Sequence, residues 1–307
     1  MADNGSNFDI RSIVDGMNHR RLGIYVFVTV FIAFFLVPLE TGIMTALKST
    51  EAINRSLPFL PPAGDGFTLA NLELALEQVQ RGVINSLLMA LPATIINIVL
   101  ASMAAYGLTL VDWRGQIGVL LLFVAGVFVP YQAVIVPLAR FWTHIFPITE
   151  ILSPLARLVL VEPYHLELIP LMITHVAYGI PIITVLFRSY YKSMPKSLIE
   201  AGKIDGKSVT QIYRDIVLPL SKPMFGVVFI YQFTQIYNEF LFSKVLIGSA
   251  SAQQATVTLI LPQIGASTSG LDYGLRMSAA FLAALPTLLL YIAFAEQFAE
   301  GLKTGGA

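Results

Sequence analysis

The sequence predicts an all-α integral membrane protein with six transmembrane helices and a cytoplasmic two-helix loop. Only 12% of its 307 residues are charged and 56% are hydrophobic, whereas a soluble domain carries about 25% charged residues. The mean hydropathy of +0.73 points the same way. A chain with so little polar surface does not stay in water, which excludes soluble enzymes, nucleic-acid-binding proteins and disordered scaffolds.

Six charge-poor segments are long enough to form spans, because a helix crosses the roughly 30 Å hydrocarbon core with about 20 apolar residues. We predict the spans within residues 22–39, 82–111, 115–139, 168–187, 223–247 and 277–295. The first segment ends in Pro38-Leu39-Glu40 rather than in the small residues of a cleavage site. We therefore interpret it as an uncleaved anchor and not as a signal peptide.

The distribution of Lys and Arg predicts the orientation, because cytoplasmic loops carry an excess of both. The segment between the fourth and fifth spans, residues 188–222, holds seven of them, so we place it in the cytoplasm together with both termini. The predicted organisation is a cytoplasmic segment at 1–21, a first anchor at 22–47, an extracytoplasmic loop at 48–80, a transmembrane domain at 81–298 and a cytoplasmic tail at 299–307. Outside the spans, residues 67–80 predict a short amphipathic helix and residues 248–270 predict a loop.

Residues 188–222 encode two short helices. The first is predicted to begin at a capping-box pattern, Ser197 to Glu200, which follows Pro195 by two residues. It ends at Asp205-Gly206, where glycine can take the left-handed conformation. Its predicted apolar face consists of Leu198, Ala201 and Ile204.

The second short helix begins at another capping-box pattern, Ser208 to Gln211, and is predicted to end at Pro219. Its apolar residues are Val209, Ile212, Tyr213 and Ile216. Both helices are too short to be stable alone in water. They dock either on the protein's own surface or in a groove of a partner, and the pattern leaves both possibilities open.

The same loop contains a near match to a phosphate-binding pattern. Residues 201–208 differ only at Ala201 from the phosphate-loop sequence G-x-x-x-x-G-K-[ST]. That sequence binds phosphate only between a strand and a helix of an α/β domain. A loop between two membrane spans offers no such sheet, so we reject ATP binding by this chain.

The loop nevertheless resembles a known motif. The residues Glu200-Ala201-Gly202, Asp205-Gly206 and Pro219-Leu220-x-x-Pro223 are similar to the EAA motif of permease subunits in ATP-binding-cassette (ABC) importers, E-A-A-x-x-D-G followed by P-L-x-x-P. The one departure in its leading part is Gly202 in place of Ala, which disfavours a helix by about 1 kcal/mol. The resemblance extends from about residue 70 to the end, and it is to the second permease of maltose-type carbohydrate importers.

Other segments carry the same resemblance. Asn85-Ser86, residues 104–107 and residues 237–241 look like elements of the carbohydrate branch, with Tyr237 where that branch usually has Trp. Residues 301–307 resemble the family's C-terminal tail, which reaches into the ATPase dimer in maltose-type importers.

The resemblance implies a set of partners and a separate function for each. The expected partners are a second permease subunit, an ATPase dimer, an extracytoplasmic solute-binding protein, a sugar substrate and membrane lipid, with no nucleic acid. ATP and Mg²⁺ are expected on the ATPase, with no cofactor in this chain, which is a non-catalytic transport subunit of the cell membrane. The residues expected to transmit the ATPase motion are Leu198, Glu200, Ala201, Gly202, Ile204, Asp205, Gly206, Ile212, Ile216 and Pro219.

The fifth predicted span carries four polar residues, Gln232, Gln235, Asn238 and Glu239. Polar residues inside a membrane usually face a transport path or a neighbouring helix. They predict either a hydrophilic wall suited to sugar hydroxyls or hydrogen bonds that hold the helices together, and the sequence leaves both open. His175 and Tyr178 in the fourth span predict packing or a helix–helix hydrogen bond rather than a ligand site.

Rival functions explain less of the sequence. A secondary transporter would normally show an internal repeat, which is not found, and it does not account for the EAA-like loop. A membrane-embedded enzyme would need a catalytic constellation, and the four His residues are scattered. An importer permease for another solute, such as a polyol or glycerol phosphate, remains the alternative.

Overall fold

The computed structural model describes residues 19–159, 162–267 and 270–295. The predicted cytoplasmic N-terminal segment, apart from its last three residues, and the C-terminal tail lie outside the described residues. The described chain is almost entirely helical, and its two strands, β1 (Ala266–Ser267) and β2 (Gly270–Leu271), form a single antiparallel ribbon. The predicted all-α membrane fold is therefore confirmed.

Fourteen α-helical segments follow one another along the described chain. They are α1 (His19–Ala46), α2 (Thr50–Arg55), α3 (Ala70–Gly107), α4 (Gln116–Val127), α5 (Tyr131–Arg140), α6 (Ile148–Val159), α7 (Ile169–Lys192), α8 (Lys196–Ile204), α9 (Val209–Ile212), α10 (Leu218–Leu220), α11 (Lys222–Tyr237), α12 (Leu241–Leu246), α13 (Val257–Ile260) and α14 (Tyr273–Ala293). Wide π-helical turns occupy Phe141–Ile145 and Tyr213–Val217, and 3₁₀ turns occupy Gly64–Gly66, Pro163–Leu168 and Leu261–Gln263.

Four of the described helical segments are long and apolar enough to cross a membrane, and they contain α1, α3, α7 and α14. Two further candidates are bent pairs, 116–127 with 131–154 at 95° and 209–220 with 222–246 at 76°. The first bend lies at Pro130, which has extended backbone and no N–H to continue a helix. Counting each bent pair as one span gives six, so the predicted number stays a prediction.

Helix α3 corrects two boundaries of the sequence analysis. The amphipathic segment predicted at 67–80 and the second span are one continuous helix of 38 residues. Gly82 lies inside this helix, at the point where α13 packs closely against it. A Cβ on Gly82 would lie 3.0 Å from the Cα of Val257, so the close approach needs glycine there. The region 248–270, predicted as a loop, contains that helix and β1.

Helix α3 is also the centre of the packing. It contacts α7, α11, α13 and α14, and its small buried residues, among them Ala90, Ala93, Ala101 and Ala105, let these helices approach. By contrast, residues 23–39 of α1 are all exposed, and α1 packs on α14 only near its end, where Phe281 lies against Gly42. A helix that is apolar all round and exposed belongs in lipid or against another membrane subunit.

Candidate functional site

The first helix of the two-helix loop (residues 188–222) has its N-cap two residues earlier than predicted. Helix α8 starts at Lys196, and Pro195 with extended backbone is its N-cap residue. Ser197 therefore lies inside the first turn, and its predicted capping hydrogen bond is not formed. The prediction is wrong because Pro195 already fixes the backbone geometry that a capping side chain would otherwise stabilise.

The end of α8 has the geometry that the sequence predicts. The N–H of Lys207 donates to the carbonyl of Gly202 at 3.0 Å, and the N–H of Gly206 donates to the carbonyl of Lys203 at 3.1 Å. This pair of hydrogen bonds is the Schellman motif, which needs a left-handed residue at its centre. Gly206 has φ +73°, while Asp205 is the C-cap residue. A Cβ on Gly206 would meet nothing within 4 Å, so backbone conformation alone requires glycine there.

The second short helix forms its capping box but does not end at Pro219. The N–H of Gln211 donates to Ser208 Oγ at 3.3 Å, and the N–H of Ser208 donates to Gln211 Oε1 at 2.8 Å. The helix then widens into the π turn and continues through α10 to Leu220. Pro219 is tolerated because the π turn has already broken the regular backbone pattern into which its ring would clash.

The first short helix buries a different face from the predicted one, whereas the second buries Ile212 of its predicted apolar residues. Ile199 is 6% exposed and Ile212 is 2% exposed, and both join a core cluster with Phe187 and Tyr191 of α7. Gly202 lies between the helices: a Cβ there would be 2.8 Å from the Cδ1 of Ile216. The close approach that Gly202 permits is therefore within this chain.

The predicted apolar face of α8 is open to its surroundings. Leu198 is 40% exposed and Ile204 is 85% exposed, and both Glu200 and Ala201 are exposed beside them. Val209 at the start of the second helix is 52% exposed. The loop thus combines both open possibilities of the sequence: one apolar stripe docks on the protein itself, and a second remains available to a partner.

Side chains of α3 fasten this loop to the membrane helices. Ser102 Oγ lies 2.6 Å from the hydroxyl of Tyr191 and 2.8 Å from that of Tyr213. The Tyr106 hydroxyl donates to the carbonyl of Val209 at 2.8 Å, and its ring packs on that of Tyr213 with centroids 5.1 Å apart. This attachment was not predicted from the sequence, although Ser102 and Tyr106 stand one helical turn apart in the otherwise apolar last ten residues of α3.

An exposed ion cluster ties the start of the second helix to its π turn. The Asp215 carboxylate accepts from Arg214 at 2.8 Å and from Lys207 at 2.9 Å. The hydrogen bond from the Arg214 guanidinium, with that from Lys207, holds the pKa of Asp215 below its usual range. Solvent screens a pair this exposed, so its contribution is small.

Nearer the middle of α3, at the start of the predicted second span, two side chains hold another segment by similar means. The Asn85 side chain donates to the carbonyls of Gln253 and Ala255 at 2.8 and 3.0 Å. Ser86 Oγ accepts from the N–H of Val257 at 2.9 Å. Both side chains are buried. In the sequence, Asn85-Ser86 stands out only as part of the family resemblance, and no local signal indicates the partner segment some 170 residues away.

The four polar residues of the fifth span do not form one wall. Gln232 is 4% exposed and lies at a crossing of α3, α7 and α11, where a Cβ on Gly179 would overlap the amides of Gln232 and Asn97. Gln235 and Asn238 are exposed. The prediction that all four share a helix is wrong, because α11 ends at Tyr237.

Glu239 instead caps the following helix. Its carboxylate accepts from the N–H groups of Leu241 and Phe242, the latter at 2.9 Å, at the start of α12. Its Oε2 lies 3.7 Å from Nε2 of His175, and both side chains are under 10% exposed. Asn97 donates to the backbone carbonyl of His175 at 3.1 Å, whereas Nε2 of His175 and the hydroxyl of Tyr178 have no hydrogen-bond partner among the described residues.

Comparison with known proteins decides the family. Residues 83–302 match the family described as the inner membrane component of binding-protein-dependent transport systems. The chain belongs to this family. Over 299 residues, 97% of each chain, the permease is 64% identical to the xylose/arabinose import permease protein XacI of Haloferax volcanii. It is 27% identical over 222 residues, 72% of this chain and 71% of the relative, to the arabinooligosaccharides transport system permease protein AraQ of Bacillus subtilis.

The fold of the permease also matches a solved structure. Its likeness to a chain of a bacterial ABC transporter involved in the import of the acidic polysaccharide alginate has a TM-score of 0.66 at 16% identity, covering 91% of this chain and 97% of the other. At this identity the likeness shows the fold alone. The resemblance to ABC importer permeases is confirmed, and with it a multi-pass membrane subunit that works with a second permease, an ATPase and a binding protein.

Proposed function

We propose that this permease is one of two membrane subunits of an ABC importer for pentoses, with xylose and arabinose as the first candidates. The observation that carries the proposal is the 64% identity to a xylose/arabinose import permease across 97% of both chains. The exposed apolar surface of α1 and α4 supports a membrane position beside a second subunit. The exposed polar residues Gln235 and Asn238 are the candidates for a path wall shared with it.

The two-helix loop is proposed as the contact with the ATPase. Its exposed stripe, with Leu198, Ala201, Ile204 and the carboxylate of Glu200, fits a groove of a partner. Its buried stripe passes the partner's motion to α3 through Ser102, Tyr106, Tyr191 and Tyr213. In this arrangement the ATPase binds ATP and Mg²⁺, the chain itself is non-catalytic and holds no cofactor, and both termini lie in the cytoplasm with the loop.

Uptake in a defined host tests the substrate. The chain is expressed in a Haloferax volcanii strain that lacks XacI, and its assembly with the remaining importer subunits is checked by co-purification. We expect labelled xylose and arabinose to be taken up, as they are when XacI itself is restored, and glycerol phosphate to be excluded. Assembly without pentose uptake would overturn the proposed substrate while leaving the family assignment intact.

A pair of glycine variants tests the coupling role separately. Gly206→Val places a β-branched residue at φ +73° in the two-helix loop, and Gly248→Val does the same at φ +81° beyond α12. Neither added Cβ meets an atom within 4 Å, so both variants introduce backbone strain of about 1–3 kcal/mol without a clash at Cβ. We expect Gly206→Val to assemble and hydrolyse ATP without uptake, and Gly248→Val to transport. Normal uptake by Gly206→Val would contradict the coupling role.

A further inference from the structure

A basic pocket lies where α7 leaves the membrane and the two-helix loop begins. It encloses about 270 Å³ between the start of α4, the segment 108–110 and the junction of α7 with α8. Three cationic side chains line it, Arg188, Lys192 and Lys196. Thr109 and Gln116 add polar groups from the other wall.

These cations have no counter-ion within the described part of the chain. None of the three takes part in its ion pairs, all of which involve other residues. The Nε of Arg188 and the Oγ1 of Thr109 are both buried without a hydrogen-bond partner among the described residues. Buried polar atoms are nearly always hydrogen-bonded in native proteins, so two unpaired ones beside the same cavity indicate an occupant with acceptor oxygens and negative charge.

The apolar surroundings indicate where that occupant comes from. Ile117 and Leu120 line the pocket, and Ile117, Leu121 and Leu122 of α4 are between 61% and 73% exposed along the candidate span. Cations at the level of the membrane surface with exposed apolar side chains next to them match a phosphate headgroup followed by its acyl chains. Basic pockets of this kind between membrane helices bind anionic lipid headgroups.

We propose that Arg188, Lys192 and Lys196 form a binding site for the phosphate group of an anionic membrane lipid. The guanidinium of Arg188 contacts the phosphate from inside the pocket, and the two lysines contact it from the rim. Because Lys196 is the first residue of α8 and Arg188 belongs to α7, the bound headgroup bridges a membrane helix and the two-helix loop. The lipid therefore stabilises the junction at which the loop meets the membrane. This inference does not depend on which solute is imported.

Lipid retention by the intact protein tests the site. The tagged full chain, with the subunits that accompany it, is reconstituted in nanodiscs of phosphatidylcholine containing a minority of phosphatidylglycerol. It is then extracted in mild detergent, and the retained lipids are counted by native mass spectrometry. Each charge-assisted hydrogen bond removed should weaken binding about tenfold, so we expect Lys192→Gln and Arg188→Gln to lose phosphatidylglycerol that the wild type retains.

Arg114→Gln is the matched control, because Arg114 is an exposed cation near the start of α4 that does not line the pocket. We expect it to retain phosphatidylglycerol as the wild type does, and Arg188→Lys to recover part of what Arg188→Gln loses. Equal retention by the wild type and Lys192→Gln, an exposed position whose change leaves the core intact, would overturn the site. Inorganic phosphate that raises the melting temperature of the delipidated complex as much as phosphatidylglycerol does would overturn the lipid as its source.

Discussion

Helix α3 holds a segment of chain near each end of the predicted second span, residues 82–111, through side chains that bond to backbone. At one end Asn85 donates to the carbonyl of Ala255, and at the other Tyr106 donates to the carbonyl of Val209. The held segments differ in burial, because Ala255 is completely buried whereas Ile204 of the two-helix loop is 85% exposed. The segment at Ala255 is covered by other parts of the same chain. The two-helix loop presents an apolar surface that is left for a partner to cover.

This difference predicts that substitutions at the two positions on α3 have different effects, one on stability and the other on coupling. A change at the Asn85 end disturbs a finished core, so it acts on the stability of the subunit. A change at the Tyr106 end alters the connection between the membrane helices and an exposed loop, so under the proposed contact with the ATPase we expect it to act on coupling. The following predictions test this separation at individual residues.

Gly202 gives the strongest test at the two-helix-loop end. Gly202→Leu inserts a side chain where even a Cβ would lie 2.8 Å from Ile216 and 3.3 Å from Ile212. Such overpacking costs about 1–3 kcal/mol and moves α8 away from α9, so we expect ATP hydrolysis without sugar uptake. Gly202→Ala is the control, because the nearest atom is the end of a flexible isoleucine, and it should transport normally. Equal transport by both variants would contradict the close packing.

Asn85→Ala tests the opposite end. It leaves the carbonyls of Gln253 and Ala255 without the amide donor they now share, and an unsatisfied buried group, here the Ala255 carbonyl, costs about 1–3 kcal/mol. We expect a lower melting temperature and less assembled complex, with an unchanged ratio of ATP hydrolysed to sugar imported in what assembles. Asn54→Ala, at an exposed position, should match the wild type. A changed ratio with unchanged stability would contradict the division between the two ends.

Tyr106→Phe removes one hydrogen bond and keeps the ring that packs on Tyr213. A neutral hydrogen bond contributes about 0.5–1.5 kcal/mol, so we expect full assembly and a moderate rise in ATP hydrolysed per sugar imported. The control is Tyr273→Phe, because that ring is 53% exposed at the far end of α14. A fall in melting temperature like that of Asn85→Ala, with normal coupling, would assign Tyr106 to stability instead.

Asp215 should have the smallest effect. Because its pKa is lowered in the folded protein, its ion cluster stabilises the loop above the ordinary carboxyl pKa of about 4. That stabilisation is lost as the pH falls through the lowered folded value. Thermal unfolding followed against pH should show a shallow acid-side loss that Asp215→Asn removes and that high salt weakens. An Asp215→Asn profile identical to the wild type would show that the cluster contributes nothing.

Much of this molecule could be predicted from residue patterns. Composition and the apolar runs predict helices in a membrane, because a segment in lipid has to satisfy all its backbone N–H and C=O groups internally. The spacing of Glu200, Asp205, Gly206 and Pro219 predicts the family and the reversal between two short helices. These features are local or compositional, so neighbouring residues are enough to determine them.

The remaining features depend on contacts between distant parts of the chain. Leu198 and Ile199 are adjacent and both apolar, and only the packing of α8 on Ile212 and Tyr191 decides that Ile199 is buried. Glu239 does not lie on the polar face of α11, because that helix ends two residues earlier. Its carboxylate instead accepts hydrogen bonds from the first N–H groups of α12. A sequence specifies which residues can be buried and which turns can form. The tertiary structure decides among them, because burial is a property of the neighbours that the fold brings together.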